Sequence, residues 1–385
     1  MSSNSASLID LFCGCGGFSL GAELAGFHSL AAVDIDPMLQ SGFKKNFPRT
    51  KAIQGDVGQI SRSDWRQIIG DVRPDGIIGG PPCQGFSRIG KRSKDDPRNT
   101  LIHHFYRHVE ELQPKFFLME NVEGLLDEGS RDVLMSAIER VTGRYNILGP
   151  LVVNAADFGA ATSRRRVIVV GYNPNDCDPL TVEQLLPTIG KYATVADAIA
   201  DLPVPIEVSD DSEDFGWARY PNISSGNLSS YARALRSAPP EGLGWAEAIQ
   251  WHEKKFVSGL FETRHTAAVA KRYSKIENGK RDPISRSQRL EWNGQCPTLR
   301  AGTGAEKGSF QAVRPLHPCE ARVITVREAA RMQAFPDWFV FHPTKWHSFR
   351  MIGNSVSPSV SYGLLSKLLR AVDSGLGRAY ERRAA

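Results

Sequence analysis

No apolar run in this sequence approaches the roughly 20 residues that a membrane helix requires, so no membrane span is expected. The N-terminus, Met1-Ser2-Ser3-Asn4-Ser5, has no basic segment followed by an apolar one, which argues against a secretory signal. Cysteine is scarce: six in 385 residues do not make a disulfide scaffold. Cys13 and Cys15 are separated only by Gly14, but no second close pair with nearby histidines completes a zinc set. Cys13, Cys15, Cys177, Cys296 and Cys319 therefore read as ordinary reduced residues, and no metal is expected. Internal repeats and low-complexity tracts are also absent. A cytoplasmic protein is the default that remains.

The apolar fraction of 41% suits a sizeable core, and the length allows one large domain with a satellite. The net charge of +5 is small, but its distribution is informative. Ten lysines and arginines fall between Lys254 and Arg289 with few acids among them, whereas Asp210, Asp211, Glu213 and Asp214 cluster upstream. Such a basic stretch is often a solvated face, yet it also suits a polyanion partner.

The first part of the chain alternates short apolar runs with amphipathic segments, which predicts an α/β domain with a mostly parallel sheet. Strands are expected at Leu8–Phe12, Leu30–Val33, Gly76–Ile78, Phe116–Met119 and Val167–Val170, with helices starting near Phe18, Pro37, Asp64, Thr100 and Arg131. From about Tyr172 to Cys319 the alternation fails, and Pro, Gly, Ser and charged residues dominate. The expected organisation is a catalytic domain over 1–172, a smaller irregular domain over 173–320, and a return to the first domain over 321–385. An amphipathic helix is expected near Thr325–Met332 and a closing helix over Val356–Leu369.

In such sheets ligands bind beyond the carboxyl ends of the strands. Asp10, Phe12, Gly14, Gly16 and Gly17 form a strand–glycine loop–helix sequence that brings backbone N–H groups and a helix N-terminus toward a ligand. Asp34 ends the second strand, where a carboxylate can accept both ribose hydroxyls. Asp56, in Gln54-Gly55-Asp56-Val57, follows a third and could read an adenine amine. Ile35, Val57 and Pro82 flank these groups. The glycine spacing departs from the G-x-G-x-x-G of nicotinamide sites. S-adenosyl-L-methionine, with an adenosine and a cationic sulfur, fits the acids better.

The segment Gly79-Gly80-Pro81-Pro82-Cys83-Gln84-Gly85-Phe86-Ser87 sets a cysteine after two prolines that fix φ. A thiol held at a strand exit is a candidate nucleophile; an incidental turn is the other reading. The loop Gln84–Thr100, with Ser87, Arg88, Lys91, Arg92 and Arg98, reads either as a mobile lid or as a solvated basic loop. Glu120 in Met119-Glu120-Asn121-Val122 follows another strand on the same sheet edge. Arg164-Arg165-Arg166 leads into the next, and Gly353-Asn354-Ser355-Val356 precedes the closing helix.

With these motifs assembled, the chain resembles the DNA cytosine-5 methyltransferases. The matching segments, in the family's order, are Asp10–Gly17, Gly80–Ser87, Met119–Val122, Arg164–Arg166, Pro297–Thr298 and Gly353–Val356. The resemblance implies a Rossmann-like S-adenosyl-L-methionine domain and a smaller target-recognition domain, with double-stranded DNA in the cleft between them. It implies that Cys83 adds to C6 of a flipped-out cytosine, that Glu120 engages N3 and the exocyclic amine, and that Arg166 holds O2, with Arg164 beside it. Asn121 would orient the Glu120 loop, and Asn354 and Ser355 would touch the cofactor. DNA contacts would come from Gln84, Ser87, Arg88, Lys91, Arg98 and Thr298. Recognition would use the Lys254–Arg289 stretch, Trp251 and loops such as Ser224–Leu228. The products are 5-methylcytosine and S-adenosyl-L-homocysteine, without a metal.

The expected setting is a monomeric bacterial enzyme of a restriction-modification system, nucleoid-associated, with any cognate restriction endonuclease acting separately. Thr162 stands where many relatives carry glutamine, so altered contacts behind the arginines are expected with activity retained. His103, His104 and His265 are expected to be structural or surface residues. Methylation of tRNA, or a non-catalytic DNA-binding regulator with the same fold, are the alternatives. The DNA-type sequence after Cys83 and the joint presence of Cys83, Glu120 and Arg166 speak against them.

Overall fold

The computed structural model describes residues 6–82, 100–301 and 314–384, with side chains up to residue 372. The strands that position the site are β1 (Ser7–Leu11), β2 (His28–Asp34), β3 (Lys51–Gln54), β4 (Gly76–Gly79), β5 (Phe116–Asn121), β6 (Asn146–Asn154), β7 (Thr162–Ser163) and β8 (Arg165–Tyr172). Seven of them form one sheet in the order β3-β2-β1-β4-β5-β8-β6. The pairs β2–β3, β1–β2, β1–β4 and β4–β5 are parallel. The central strands carry apolar residues on both faces, and Leu8, Ile9, Ile77, Ile78 and Phe116–Met119 are all fully buried. That is the pattern of a parallel sheet covered by helices on both sides.

Helices α1 (Gly17–Ala25), α2 (Pro37–Asn46), α3 (Arg62–Ile69), α4 (Thr100–Leu112) and α5 (Ser130–Glu139) follow β1, β2, β3, β4 and β5 in turn. Their starts are written locally. Asp36 caps α2 ahead of Pro37, and Ser61 with Asp64 forms a capping box at α3.

The sheet differs from expectation on one side. β8 runs antiparallel to both β5 and β6, so the sheet is mixed. β6 has no clear signal in the sequence, because an irregularity between Leu148 and Leu151 breaks its ladder and most of its residues are only half-buried. β5 also runs on through Asn121, so Glu120 and Asn121 end the strand rather than follow it.

The span 173–320 holds short helices and two-residue strands, such as Ala218–Arg219 paired with Phe256–Val257. One core cluster draws Phe43 from α2 and Phe47 from just after it, Val195 and Leu299 from this span, and Trp338 and Met351 from the last part of the chain. The helix expected near Thr325–Met332 is present over Val326–Met332, but it is not amphipathic in its surroundings, because every residue is buried. Its polar face is satisfied internally. Arg331 lies 2.6 Å from both Asp201 and Asp337, and Arg327 donates to the Ser258, Pro336 and Phe339 carbonyls. No helix among the described residues is long and apolar enough to cross a membrane.

The closing helix, Pro358–Ala384, lies against α1 at very short range. Ser361 Oγ donates to the Phe18 carbonyl at 2.6 Å. A Cβ on Gly21 would stand 2.3 Å from Ser361 Cβ and 2.5 Å from the Pro358 carbonyl oxygen. Helix propensity alone favours Ala over Gly at Gly21 by about 1 kcal/mol. Overpacking against backbone costs about 1–3 kcal/mol, so Gly21→Ala is expected to destabilise the protein. Denaturant unfolding checks the sign: a net gain in stability would mean that the two helices do not approach this closely.

Candidate functional site

A cleft of about 730 Å³ opens at the carboxyl ends of β1, β2, β4 and β5. One half is built by the turns after β1 and β2. In the first, Phe12, Gly14 and Gly16 all have positive φ, and the tight reversal they make turns the chain into α1. A Cβ on Gly14 would meet nothing within 4 Å, so backbone is open there, whereas one on Gly16 would lie 2.3 Å from the Phe47 ring. Gly16 therefore turns the loop against the Phe43 and Phe47 rings.

Asp10 stands in β1 just before this loop. It is fully buried beneath the loop, accepts the Ser19 hydroxyl at 2.6 Å and does not line the cleft. Burial pushes its carboxyl up to about 8, and its Oδ1 has no hydrogen-bond partner among the described residues.

Asp34 does line the cleft. Its Oδ2 accepts the Gly14 N–H and its Oδ1 the Asp36 N–H, both at 2.9 Å, and burial raises its pKa. Each oxygen keeps a further lone pair for a ligand. Next to it Ile35 is 66% exposed, an apolar surface left uncovered in the cleft wall. Asp56 is exposed at the mouth and accepts the Gly58 N–H at 2.8 Å, with Val57 buried beside it. On the far wall lie Asn354, which is exposed, and Ser355, whose hydroxyl is 3.2 Å from the Cys15 sulfur.

The other half gathers polar groups around the ends of β4 and β5. Glu120 is buried to 8% exposure, and its Oε2 would lie 3.3 Å from a Cβ on Gly80. Arg166 Nε lies 3.0 Å from Glu120 Oε1. This is ion-pair distance without hydrogen-bond alignment, so that oxygen keeps its accepting capacity. Arg164 is buried beside them, with Nη1 donating to the Leu299 carbonyl at 3.2 Å and Nε without a partner among the described residues. Desolvation, and after it the neighbouring Arg166 charge, brings its pKa down to about 9. Asn121 Nδ2 donates to the Pro81 carbonyl at 3.0 Å while its Oδ1 accepts the Val122 N–H. The side chain thus clamps the segment that leads through Pro82 toward Cys83.

Cys83, Gln84, Ser87, Arg88, Lys91, Arg92 and Arg98 lie outside the described residues. Thr298 is half-buried and donates to the Ser163 carbonyl at 2.9 Å. Thr162 donates to the Cys296 carbonyl at 2.9 Å, which ties β7 to the strand Cys296–Pro297 behind the arginines. Two candidates for DNA contact in the basic stretch are occupied internally. Arg289 is buried and donates to the Ile276, His317 and Glu320 carbonyls, and Arg272 pairs with Asp282 at 2.7 Å. Trp251 stacks on Trp217 with ring centroids 5.8 Å apart.

Asp36 and Arg350, which the sequence did not single out, line the cleft, as does His104, which was expected to be structural or at the surface. Asp36 before Pro37 carries a helix-cap signal that places it at this turn. Nothing local marks the other two.

The chain is similar to known proteins. The family model described as C-5 cytosine-specific DNA methylase matches residues 6–370. The type II methyltransferase M.XorII of Xanthomonas oryzae pv. oryzae is 43% identical over 371 residues, covering 94% of this chain and 84% of that protein. M.DdeI of Desulfomicrobium norvegicum, also named a type II methyltransferase, is 31% identical over 94% of this chain and 88% of its own. A crystal structure described as a putative DNA modification methyltransferase encoded within an Escherichia coli prophage superposes with a TM-score of 0.85. It is 42% identical, and covers 96% of this chain and 100% of its own.

The buried Asp10 carboxyl generates a stability prediction. An acid raised to about 8 from its ordinary value of 3.8 stabilises the fold fully below 3.8, and that contribution is lost as pH rises through about 8. Asp10→Asn keeps an acceptor for Ser19 without an ionisable proton. Thermal unfolding between about pH 5 and about pH 8 is expected to show a flatter decline for the variant than for the wild type. Parallel curves would mean that Asp10 is ionised in the folded protein.

Proposed function

The chain belongs to the C-5 cytosine-specific DNA methylase family, and from that premise we propose that it methylates C5 of a flipped-out cytosine within a specific duplex sequence, through a covalent bond between Cys83 and C6. The observation that carries the reading is the grouping of Glu120 and Arg166 beside the Asn121-clamped segment that continues into Cys83.

The cleft suits S-adenosyl-L-methionine. Asp34 has lone pairs free for ribose hydroxyls, Ile35 offers an uncovered apolar surface, and the glycine loop has open backbone. The acids Asp34 and Asp56 suit a cationic ligand. Phe12, Gly14, Gly17, Val57, Pro82, Asn354 and Ser355 complete the proposed donor site. When bound, the donor supplies a methyl group on a positively charged sulfur.

The chain's own residues do the rest. Unmodified cytosine C5 is too weakly nucleophilic to accept a methyl group. In the proposed reaction the Cys83 thiolate forms an S–C6 bond, and the ring electrons move so that C5 becomes the nucleophilic end of an enamine. Glu120 hydrogen-bonds N3 and the exocyclic amine as that charge develops, and Arg166 holds O2. Arg164, cationic at neutral pH, adds positive potential behind them. After methyl transfer the C5 proton leaves to a base, the S–C6 bond breaks and the thiolate is regenerated. The base must leave the stack to reach these groups, at a cost of a few kcal/mol. We further propose the role of modification enzyme in a type II restriction-modification system, acting as a monomer, with recognition supplied by the span 173–320.

Incubation with duplex DNA and S-adenosyl-L-methionine, followed by bisulfite sequencing, is expected to show protection of particular cytosines. Cys83→Ser is expected to lower the rate by at least about a thousandfold with DNA binding retained. Full activity in that variant would overturn the mechanism. Glu120→Gln is expected to lower kcat by about 10²–10⁴-fold, read in single-turnover assays at saturating donor.

A further inference from the structure

Arg350 lies on the helix Lys345–Asn354 and lines the cleft, yet its partner belongs to a turn at the other end of the sequence. Its Nη2 is 2.5 Å from Asp36 Oδ2. The second Asp36 oxygen accepts the Met38 and Leu39 N–H groups at 2.9 and 3.2 Å, which caps α2. The Asp36 N–H donates to one oxygen of Asp34, and the other Asp34 oxygen accepts the Gly14 N–H. One polar chain therefore runs from Arg350 through Asp36 and Asp34 to Gly14. It joins the helix Lys345–Asn354, the β2–α2 turn and the glycine loop, the three segments that enclose the donor half of the cleft.

The pair is well shielded, with side-chain exposures of 28% and 19%. Burial alone would raise the Asp36 pKa, but the Arg350 hydrogen bond and the cap N–H groups outweigh it and hold the carboxyl below its ordinary range. The Trp346 ring also faces the guanidinium, with its centroid 5.8 Å away. Without Arg350, Asp36 could still cap α2, but it would leave a partly buried carboxylate without its cation at the turn that carries Asp34 and Ile35.

We propose that Arg350 is a positioning residue for the methyl donor: through Asp36 it holds the Asp34–Asp36 turn against the glycine loop and sets donor affinity, not the rate of the chemical step. The proposal rests on the donor-binding reading of this cleft. A turn fixed before the donor arrives spares the ordering cost at binding.

The test is a double-mutant cycle with Arg350→Ala, Asp36→Asn and both together. Asparagine caps a helix about as well as aspartate, so Asp36→Asn removes the ion pair and keeps the cap. Calorimetric titration with S-adenosyl-L-homocysteine is paired with steady-state methylation kinetics. Each single variant is expected to weaken binding and raise the donor KM by about fivefold to tenfold, with kcat at saturating donor within about twofold of wild type. The double variant is expected to match the singles, because the second change removes nothing further. Arg350→Lys should recover part of the loss.

Unchanged affinity in Arg350→Ala, a loss confined to kcat, or losses that multiply in the double variant would each overturn the assignment. A fall in Tm with unchanged affinity would reduce the pair to a brace and overturn it equally. Wild-type protein that binds no S-adenosyl-L-homocysteine would defeat the donor-cleft reading, and the proposal with it. Wild-type binding with unaltered variants defeats the Arg350 proposal alone.

Discussion

β4 and β5 run parallel and in register, Gly79 opposite Met119, so the two strands release their chains side by side at one edge of the sheet. The segments that leave them must then share a small volume. At Gly80 a Cβ would press on the Glu120 carboxylate, and glycine leaves that oxygen free. Pro81 presents its carbonyl to Asn121, and the two prolines stiffen the segment that continues to Cys83. The proposed nucleophile and the carboxylate that engages the same base are thus tied by a strand register and one side-chain hydrogen bond. The rest of the structure supplies what these two need.

The antiparallel β8 is the first of those supplies. Running back along β5, it pairs Glu120 with Ile168 and so starts, with Arg165 and Arg166, near the end of β5. Arg166 reaches Glu120 because the strand reverses there; a parallel strand would begin at the opposite edge of the sheet. Arg164, just before it, is held by the Asn154 side chain and the Leu299 carbonyl. Through Leu299, Cys296 and Thr162 the arginine segment is bonded to the end of the span 173–320. The donor side is closed from the other direction, by the helix Lys345–Asn354 with Ser355 at its end, and the closing helix beyond it packs on α1 at Gly21.

Much of this was legible in the sequence where a local rule was sufficient. The parallel strands read as apolar runs because they are buried on both faces, and Asp34, which lines the cleft, was marked by its place at a strand end after a glycine loop. Strand direction was not legible, since an apolar run such as Val167–Val170 looks the same in either sense. The helix Val326–Met332 showed an amphipathic pattern, but its arginines face Asp201, Asp337 and backbone carbonyls far along the chain, and long-range pairing leaves no periodic mark. Arg289 misled for the same reason: a cation in a basic stretch reads as surface unless the carbonyls it satisfies are known. The Asp10–Gly17 motif likewise does not say which of its residues face the cleft and which, like Asp10, are buried beneath it.

If Cys83 attacks the base that Glu120 and Arg166 hold, the bond it forms can be trapped. The most direct test uses duplex DNA carrying 5-fluorocytosine at the methylated position, incubated with the protein and S-adenosyl-L-methionine. Fluorine cannot leave C5 as the proton does, so the elimination that frees the enzyme is blocked. Mass spectrometry after proteolysis is predicted to find the modified base bonded to the Cys83 sulfur, with the methyl group on the same ring. A bond to any other residue, or no adduct under conditions in which the unfluorinated duplex is methylated, would contradict the account.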